Sequence, residues 1–267
     1  MLIRFPSFDH PDLVHAVTTR AGGVSQAPYA SLNLSWTRPD EPAAVLENRR
    51  RLCSALEIPL GNLVQAGQIH GIGVRAVGRA ERGAGARERA TVLPPADALM
   101  TDVPEVYLLA CFADCVPLLF FDPVRRAVAV AHAGWRGTVK GMAAATVAAM
   151  TARYGSQPEN LQVVIGPSAG PCCYTVGSEV VDAVKDAFPK HPELLVAGDD
   201  GPRFDLWAAN RVALFGTGVR AAAISVSGEC TIHQCDRFFS HRATGGATGR
   251  IAAVIGLRDP QGALVNA

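Results

Sequence analysis

The stretch "ACFADCVPLLFFDPVRRAVAVAHAGWRGTVKG", residues 110–141, sets two apolar runs on either side of an Asp-Pro. Cys115 heads the first run and His132 closes the second. Runs of Val, Leu, Ala and Phe bounded by turn residues read as β-strands, here joined in a hairpin about "DPVRR". With Phe121 facing Ala127, Cys115 falls opposite Ala133 and His132 opposite Val116, and a slip of one residue sets thiol and imidazole directly across from each other. Side chains opposed across a ladder have Cβ atoms about 4.5–5.5 Å apart, close enough for two ligands to share one ion. Pro117 has no N–H for a ladder and predicts an edge or a kink just after the cysteine. Asp114 precedes the thiol and "GWRG" follows the histidine, so polar groups gather where core strands would otherwise continue.

Outward from the hairpin, strands and helices interleave without strict βαβ alternation. "LVHAVTTRAGGVS" begins as a strand, and a helix is predicted from Glu41 to about Ala55. "LVQAGQIHGIGVRAV" reads as one strand carrying His70 near two interrupting glycines, and "GRAERGAGARERATVLPP" reads as a surface loop. "VYLLACFADCVPLLFFD" and "AVAVAHAG" form the central strands, and "TVKGMAAATVAAMTARYG" a helix ended by Gly155. "LQVVIGP", "AAAISVSGEC" and "RIAAVIGLRD" supply further strands, "SEVVDAVKDAFP" and "FDLWAANRVALFGTG" further helices. The pattern predicts an α+β fold with mixed β-sheets flanked by helices, and 267 residues could make one large domain or two small ones.

Composition narrows the functional classes. The 267 residues are 49% hydrophobic, ample for a sizeable core. Lys+Arg 25 against Asp+Glu 24 leaves a formal charge of +1, with only "ENRRRL" and "ERGAGARER" as basic segments, so nucleic acid is not indicated as a partner. No apolar run reaches the roughly 20 residues that span a bilayer and no signal core opens the chain, which predicts a cytoplasmic protein without membrane contact. Seven cysteines, two of them adjacent, make a poor disulfide framework and suit core, metal-ligand or nucleophile roles instead.

Catalytic zinc typically takes three protein ligands and leaves a position open, so Cys115 and His132 call for a third donor. His70, in "GQIHG", is best placed because glycines bring backbone close to other groups; His10, His15, His191, His233 and His241 compete, and spacing does not exclude them. "CTIHQC" gathers Cys230, His233 and Cys235, yet its spacing matches no familiar zinc knuckle and reads as ordinary loop. For each of Cys115 and His132 alone, a place in the core is the plainer explanation.

Six ordered motifs, "TTRAGGVS", "QIHG", "ADCVPLLF", "AHAGWRGTVKG", "IGPSAGPCCYTVG" and "FFSHRATGGATGR", together resemble the YfiH family, also called the laccase-domain or multicopper polyphenol oxidoreductase family. The resemblance runs from about Thr18 to Leu257 and implies a single catalytic domain over residues 1–267 with a YfiH-type fold, similar to that of cytotoxic necrotizing factor. It implies zinc held by His70, Cys115 and His132, with purine nucleoside phosphorylase activity on adenosine, inosine and related nucleosides such as methylthioadenosine. Adenosine deamination is implied as a companion reaction, with a purine nucleoside and inorganic phosphate as partners. Family members also carry a peptidoglycan-editing assignment, and the laccase label supposes copper, which such soft ligands accept in vitro. Thr175 stands where the family is expected to have Glu.

One thiolate and two neutral imidazoles leave Zn²⁺ with charge +1 and able to polarise a ligand or lower the pKa of water toward about 7. Phosphorolysis further needs an anion pocket. Arg20 and Arg136, each beside glycines, are the leading phosphate candidates, Arg136 also lying before a helix expected to start near Thr138; Lys140, Arg242 and Arg250 are weaker ones. Asp114 is placed either as general acid–base or as the acceptor orienting a metal-bound histidine. "GPSAGPCCYTVG" reads as a pocket wall in which Cys172, Cys173 and Tyr174 offer surface to a base. Three other activities stay open: a cysteine hydrolase with Cys115 activated by His132, a copper polyphenol oxidase, and a non-enzymatic binding protein.

Overall fold

The computed structural model describes residues 1–260; residues 261–267 of the expected domain lie outside the described residues. One sheet has the order β1 (Leu2–Ile3), β2 (Leu13–Thr18), β13 (Ile251–Leu257), β6 (Tyr107–Phe112), β3 (Leu63–Gln65). The other runs β12 (Ile224–Val226), β9 (Gln162–Ile165), β7 (Val116–Asp122), β8 (Ala127–Ala133), β5 (Ala98–Thr101), β4 (Val74–Ala76). Both are mixed: β3 joins β6, β12 joins β9 and β4 joins β5 in parallel, and the other neighbours are antiparallel. A small ladder joins β10 (Leu195–Val196) and β11 (Arg203–Phe204). The expected α+β class with mixed sheets stands.

The sheets face each other and helices cover their outer faces. Leu108, Phe112, Ile251 and Ile255 of one sheet meet Leu119, Phe121, Val128 and Val130 of the other. Helix α1 (Pro42–Leu56) lays Leu52, Cys53 and Leu56 on Val14, Ala16, Leu109 and Val254. Beyond the short α2 (Trp135–Val139), helices α3 (Met142–Tyr154) and α5 (Leu206–Gly216) bring Met142, Val147, Met150, Leu206 and Leu214 onto Leu118, Phe120, Ala129 and Ala131. Helix α4 (Ser178–Ala187) adds Val180 and Val184 to the same cluster. Every residue of β2, β6, β7, β8 and β13 is therefore buried, whichever face it points to. Each large apolar side chain so enclosed contributes about 1.5–3 kcal/mol. None of the described helices is long and apolar enough to cross a membrane.

Five local expectations need correction, and the first two build the site. The apolar run 106–122 is two strands in different sheets, because the chain turns at Ala113–Cys115 with Asp114 at φ 82° and passes from β6 to β7. The run 63–77 likewise splits into β3 and β4, with His70 at φ 61° in the crossing between the sheets. The hairpin pairs Asp122 with Ala127 and Pro117 with His132, one residue from the expected register and away from direct opposition of Cys115 and His132. The cause is the turn: Asp122 Oδ1 accepts the N–H groups of Val124 and Arg125, and Arg126 takes φ 51°, closing the hairpin on the 122–127 pair. Nor is β7 an edge strand; Pro117 sits one residue before the β9 ladder begins at Leu118. Finally, Gly141 at φ 86° divides the expected 138–155 helix, and α2 starts at Trp135 with Arg136 already inside it.

Candidate metal and substrate site

The two crossings and the end of β8 converge. The ligand atoms of His70, Cys115 and His132 lie within 4.8 Å of one another, and the two imidazole rings stand 4.8 Å apart at 75°. Gly134, just past β8, makes room: a Cβ there would sit 2.8 Å from Cys115 Sγ and 3.3 Å from His70 Cδ2. His132 is buried, Cys115 partly so, and His70 is exposed on its loop.

Asp97, at the head of β5 and 2% exposed, ties the two histidines together. Its Oδ1 lies 2.9 Å from His132 Nδ1 and accepts His70 N–H at 2.9 Å, while Oδ2 accepts Gly71 N–H at 2.7 Å and Ile69 N–H at 3.2 Å. The His132 Nδ1–H tautomer follows from that carboxylate partner and leaves Nε2 as the ligating nitrogen. Burial pushes Asp97 up, but these hydrogen bonds, His132's first, outweigh it and hold the carboxyl below its usual range.

Burial likewise opposes charge on Cys115 and His132, yet each stabilises the other. His132 and His70 bring the thiol down to about 6, and Cys115 with Asp97 brings the imidazole up to about 9. The pair favours thiolate and imidazolium, and ligation of a divalent ion releases the proton from His132. One thiolate, two imidazoles, a carboxylate behind one of them and a glycine that clears space make a donor set that fits a catalytic zinc ion.

The three donors line a cavity of about 730 Å³ whose wall also carries Arg38, Arg89, Arg136, Arg242 and Arg250. Arg136 stacks on Trp135, 4.2 Å from the ring centroid, and pairs with Glu179 at 3.3 Å. Arg242 lies 5.0 Å over the Tyr174 ring and donates to Thr175 O at 2.6 Å. Burial chiefly pushes the Tyr174 hydroxyl up to about 12, so it stays neutral. Arg250 donates to Gly249 O, and burial lowers its pKa. Trp36 reaches the cavity on a segment gripped by Arg49, which is fully buried, donates to Leu34 O and Gly85 O and lies 4.7 Å over the Trp36 ring. The "ENRRRL" segment is thus partly core, and the Gly-rich 78–95 stretch is anchored through Gly85 rather than free on the surface.

Two expectations about individual residues change. Arg20 does not reach the cavity: it donates to Ala30 O and Cys235 O and packs over Phe239. The acceptor orienting His132 is Asp97, not Asp114. Asp114 lines the cavity, but its oxygens accept from Thr231 Oγ1 at 2.7 Å and Arg242 N–H at 2.6 Å. Thr175, at the expected Glu position, donates to Asp200 at 2.7 Å. Of the competing histidines only His241 lines the cavity; His15 accepts Phe5 N–H, His10 meets Phe121 edge to face, His191 pairs with Glu193, and His233 donates its N–H to Cys230 Sγ. Sequence reading missed Asp97, for which the one signal was a carboxylate at the head of an apolar run after Pro-Pro.

The family model described as multi-copper polyphenol oxidoreductase laccase matches residues 14–258. Among curated relatives, the purine nucleoside phosphorylase YlmD of Geobacillus stearothermophilus is 42% identical over 248 residues, 92% of this chain and 90% of the relative. Adenosine deaminase RL5, from an unknown prokaryotic organism, is 35% identical over 240 residues, 89% of this chain and 91% of the relative. The crystal structure of YlmD from Geobacillus stearothermophilus superposes with a TM-score of 0.92 at 41% identity, covering 97% of this chain and 96% of that one.

Proposed function

Because the chain belongs to the multi-copper polyphenol oxidoreductase laccase family, whose relatives named purine nucleoside phosphorylase and adenosine deaminase share nearly its whole length, we propose that it is a zinc-dependent purine nucleoside phosphorylase with adenosine deaminase activity, one catalytic domain over residues 1–267. Adenosine and inosine are its substrates, with related nucleosides such as methylthioadenosine, and inorganic phosphate is the co-substrate. The observation that carries the reading is the convergence of His70, Cys115 and His132 within 4.8 Å on the wall of an arginine-rich cavity.

Zinc held by His70, Cys115 and His132 supplies a Lewis acid for polarising substrate or water. The protein's own groups do the rest. In phosphorolysis an oxygen of phosphate attacks ribose C1′, the C1′–N9 bond breaks with its electron pair going to the purine, and the purine takes up a proton. Arg136 and Arg242 present planar forks suited to phosphate, and each is held in advance by an aromatic ring and a second contact, which lowers the cost of ordering them on binding. Tyr174 offers ring surface to the base, and its neutral hydroxyl does not repel phosphate. With both oxygens engaged, Asp114 serves as a positioning residue for the Arg242 loop.

Incubation of the metal-replete protein with adenosine tests this. Adenine and ribose 1-phosphate are expected with phosphate, inosine or hypoxanthine from the deamination route; no product under either condition overturns the reading. One observation favours a second reading. Cys115, His132 and Asp97 stand in the order nucleophile, base, orienting acid, the arrangement of a cysteine hydrolase. Alkylation of Cys115 by iodoacetamide separates the two, since a zinc ligand is protected by saturating zinc and a free nucleophile is not.

A further inference from the structure

Behind the Tyr174 wall lies a second donor cluster. The sulfurs of Cys172, Cys173 and Cys230 are within 4.8 Å of one another, the first two from the "GPCCY" turn and the third from the loop after β12. Cys230 is buried, Cys173 partly buried and Cys172 exposed. The cysteines of "CTIHQC" therefore do not work as a local unit: Cys230 faces the vicinal pair rather than joining a group with His233 and Cys235.

The surroundings are fixed. The N–H groups of Cys173 and Tyr174 both donate to Gly170 O at 3.0 Å, curling the turn, and Ser168 is laddered to the Cys230 segment through Glu229 O and Thr231 N–H. Cys230 Sγ accepts two backbone N–H groups, from Gly170 at 3.3 Å and His233 at 3.5 Å. Backbone N–H groups aimed at a sulfur are the contacts that orient and tune a metal-bound thiolate. Gly170 has no room for a side chain, since a Cβ there would fall 2.5 Å from the Trp207 ring and 3.2 Å from Cys230 Cβ. Burial above all raises the Cys173 thiol, and the nearby Arg203 charge offsets this only in part.

We propose that Cys172, Cys173 and Cys230 form a second, all-sulfur metal site that takes a monovalent copper ion, separate from the His70, Cys115 and His132 site. Structural zinc almost always completes four protein ligands, and no fourth His, Cys, Asp or Glu joins this group among the described residues. Three soft sulfur donors suit monovalent copper. A metal–sulfur bond of about 2.3 Å places three trigonal sulfurs about 4 Å apart, so closure asks for less than about 1 Å of movement, which the exposed Cys172 end of the turn can supply. Binding exchanges thiol protons for the cation and involves no change of oxidation state. The bound ion staples two pieces of the cavity wall, because Tyr174 follows Cys173 and Thr231, next to Cys230, holds Asp114.

The test uses the full chain under anaerobic conditions in an H70A/C115S/H132A background, which removes the first donor set. Monovalent copper is supplied through the chromophoric chelator bicinchoninate. One equivalent bound is expected. Adding C172S/C173S weakens binding about a hundredfold or more, since loss of even an outer partner of a ligand costs 10–100-fold. C230S gives the same loss; because that residue is buried, the double variant on the exposed turn stands as the independent check should C230S fail to fold. Absence of copper from the background protein, equal affinity in the thiol variants, or displacement by equimolar divalent zinc would overturn the proposal.

Discussion

Replacing Asp97 by Asn probes the link between the fold and the proposed zinc. The carboxylate accepts four hydrogen bonds, three from the Ile69–Gly71 loop and one from His132. Asn keeps one acceptor oxygen and turns a donor NH₂ toward the other pair of N–H groups, whichever way it lies. Two donors lose their partner, and a hydrogen bond to a charged group is worth about 1.5–3 kcal/mol, so the metal-free fold should lose about 3 kcal/mol. That estimate takes the low end because Ile69 and His70 are exposed and water replaces part of what is lost. Removing the partner of a metal-bound histidine typically lowers affinity 10–100-fold, which at about 1.36 kcal/mol per decade is about 1.4–2.7 kcal/mol. Zinc affinity by chelator competition, with urea denaturation of the metal-free protein alongside, reads both terms. Stability lost with zinc affinity unchanged would reduce Asp97 to a loop clamp and refute its place behind His132.

Gly134→Ala should displace Cys115 and His70, since its Cβ would lie 2.8 Å from Sγ; zinc binding should fall while the melting temperature of the metal-free protein stays within a few degrees, and normal zinc affinity would count against a shared ion. Arg20→Ala should destabilise, losing its bonds to Ala30 O and Cys235 O, but leave the KM for phosphate unchanged, whereas Arg242→Ala should raise that KM about tenfold or more, the loss of one charge-assisted contact; initial-rate kinetics with varied phosphate decide between them. His15 is held at about 4, first by burial and then by the charge of Arg4, against an ordinary 6.5 for histidine. The unfolded chain therefore binds the extra proton first, and stability falls as pH drops from 6.5 toward 4, by about 3 kcal/mol in all. H15Q, which keeps an acceptor for Phe5 N–H, should flatten that slope in urea midpoints at pH 7 and 4.5, and an unchanged slope would remove His15 as its source.

The helices and strand nuclei were legible because caps, glycine stops and apolar runs are local signals. The polar company of Cys115 and His132 was legible for the same reason. What was not legible depends on pairing. A strand buried on one face alternates and betrays its register, but β6, β7 and β8 are buried on both faces and read as continuous apolar runs, which hid the break at Ala113–Cys115 and the one-residue shift in the hairpin. Arg20 looked like an anion ligand beside its glycines; its actual acceptors include Cys235 O, 215 positions away. Asp97 was silent because its four donors come from segments 26 to 35 residues distant. Cys230 was read with its sequence neighbours, although its sulfur partners are the distant Cys172 and Cys173.

The position of the site follows from how two facing sheets share one chain. Passing from β3 to β4 and from β6 to β7 requires leaving one sheet for the other, and both turns are made in left-handed backbone, at His70 and at Asp114. A non-glycine residue there carries strain of about 1–3 kcal/mol, and the crossing strips backbone N–H groups of ladder partners. Asp97 satisfies three such groups in the His70 loop, and Asp114 reaches Thr231 and the N–H of Arg242. The need to repair the crossings thus places two carboxylates beside the donors, and because β5 pairs with β8, the first is already within reach of His132. Affinity for the proposed ion and order of the loop are consequently coupled, so variants that loosen the His70 crossing should lose the ion even when all three proposed ligands are intact.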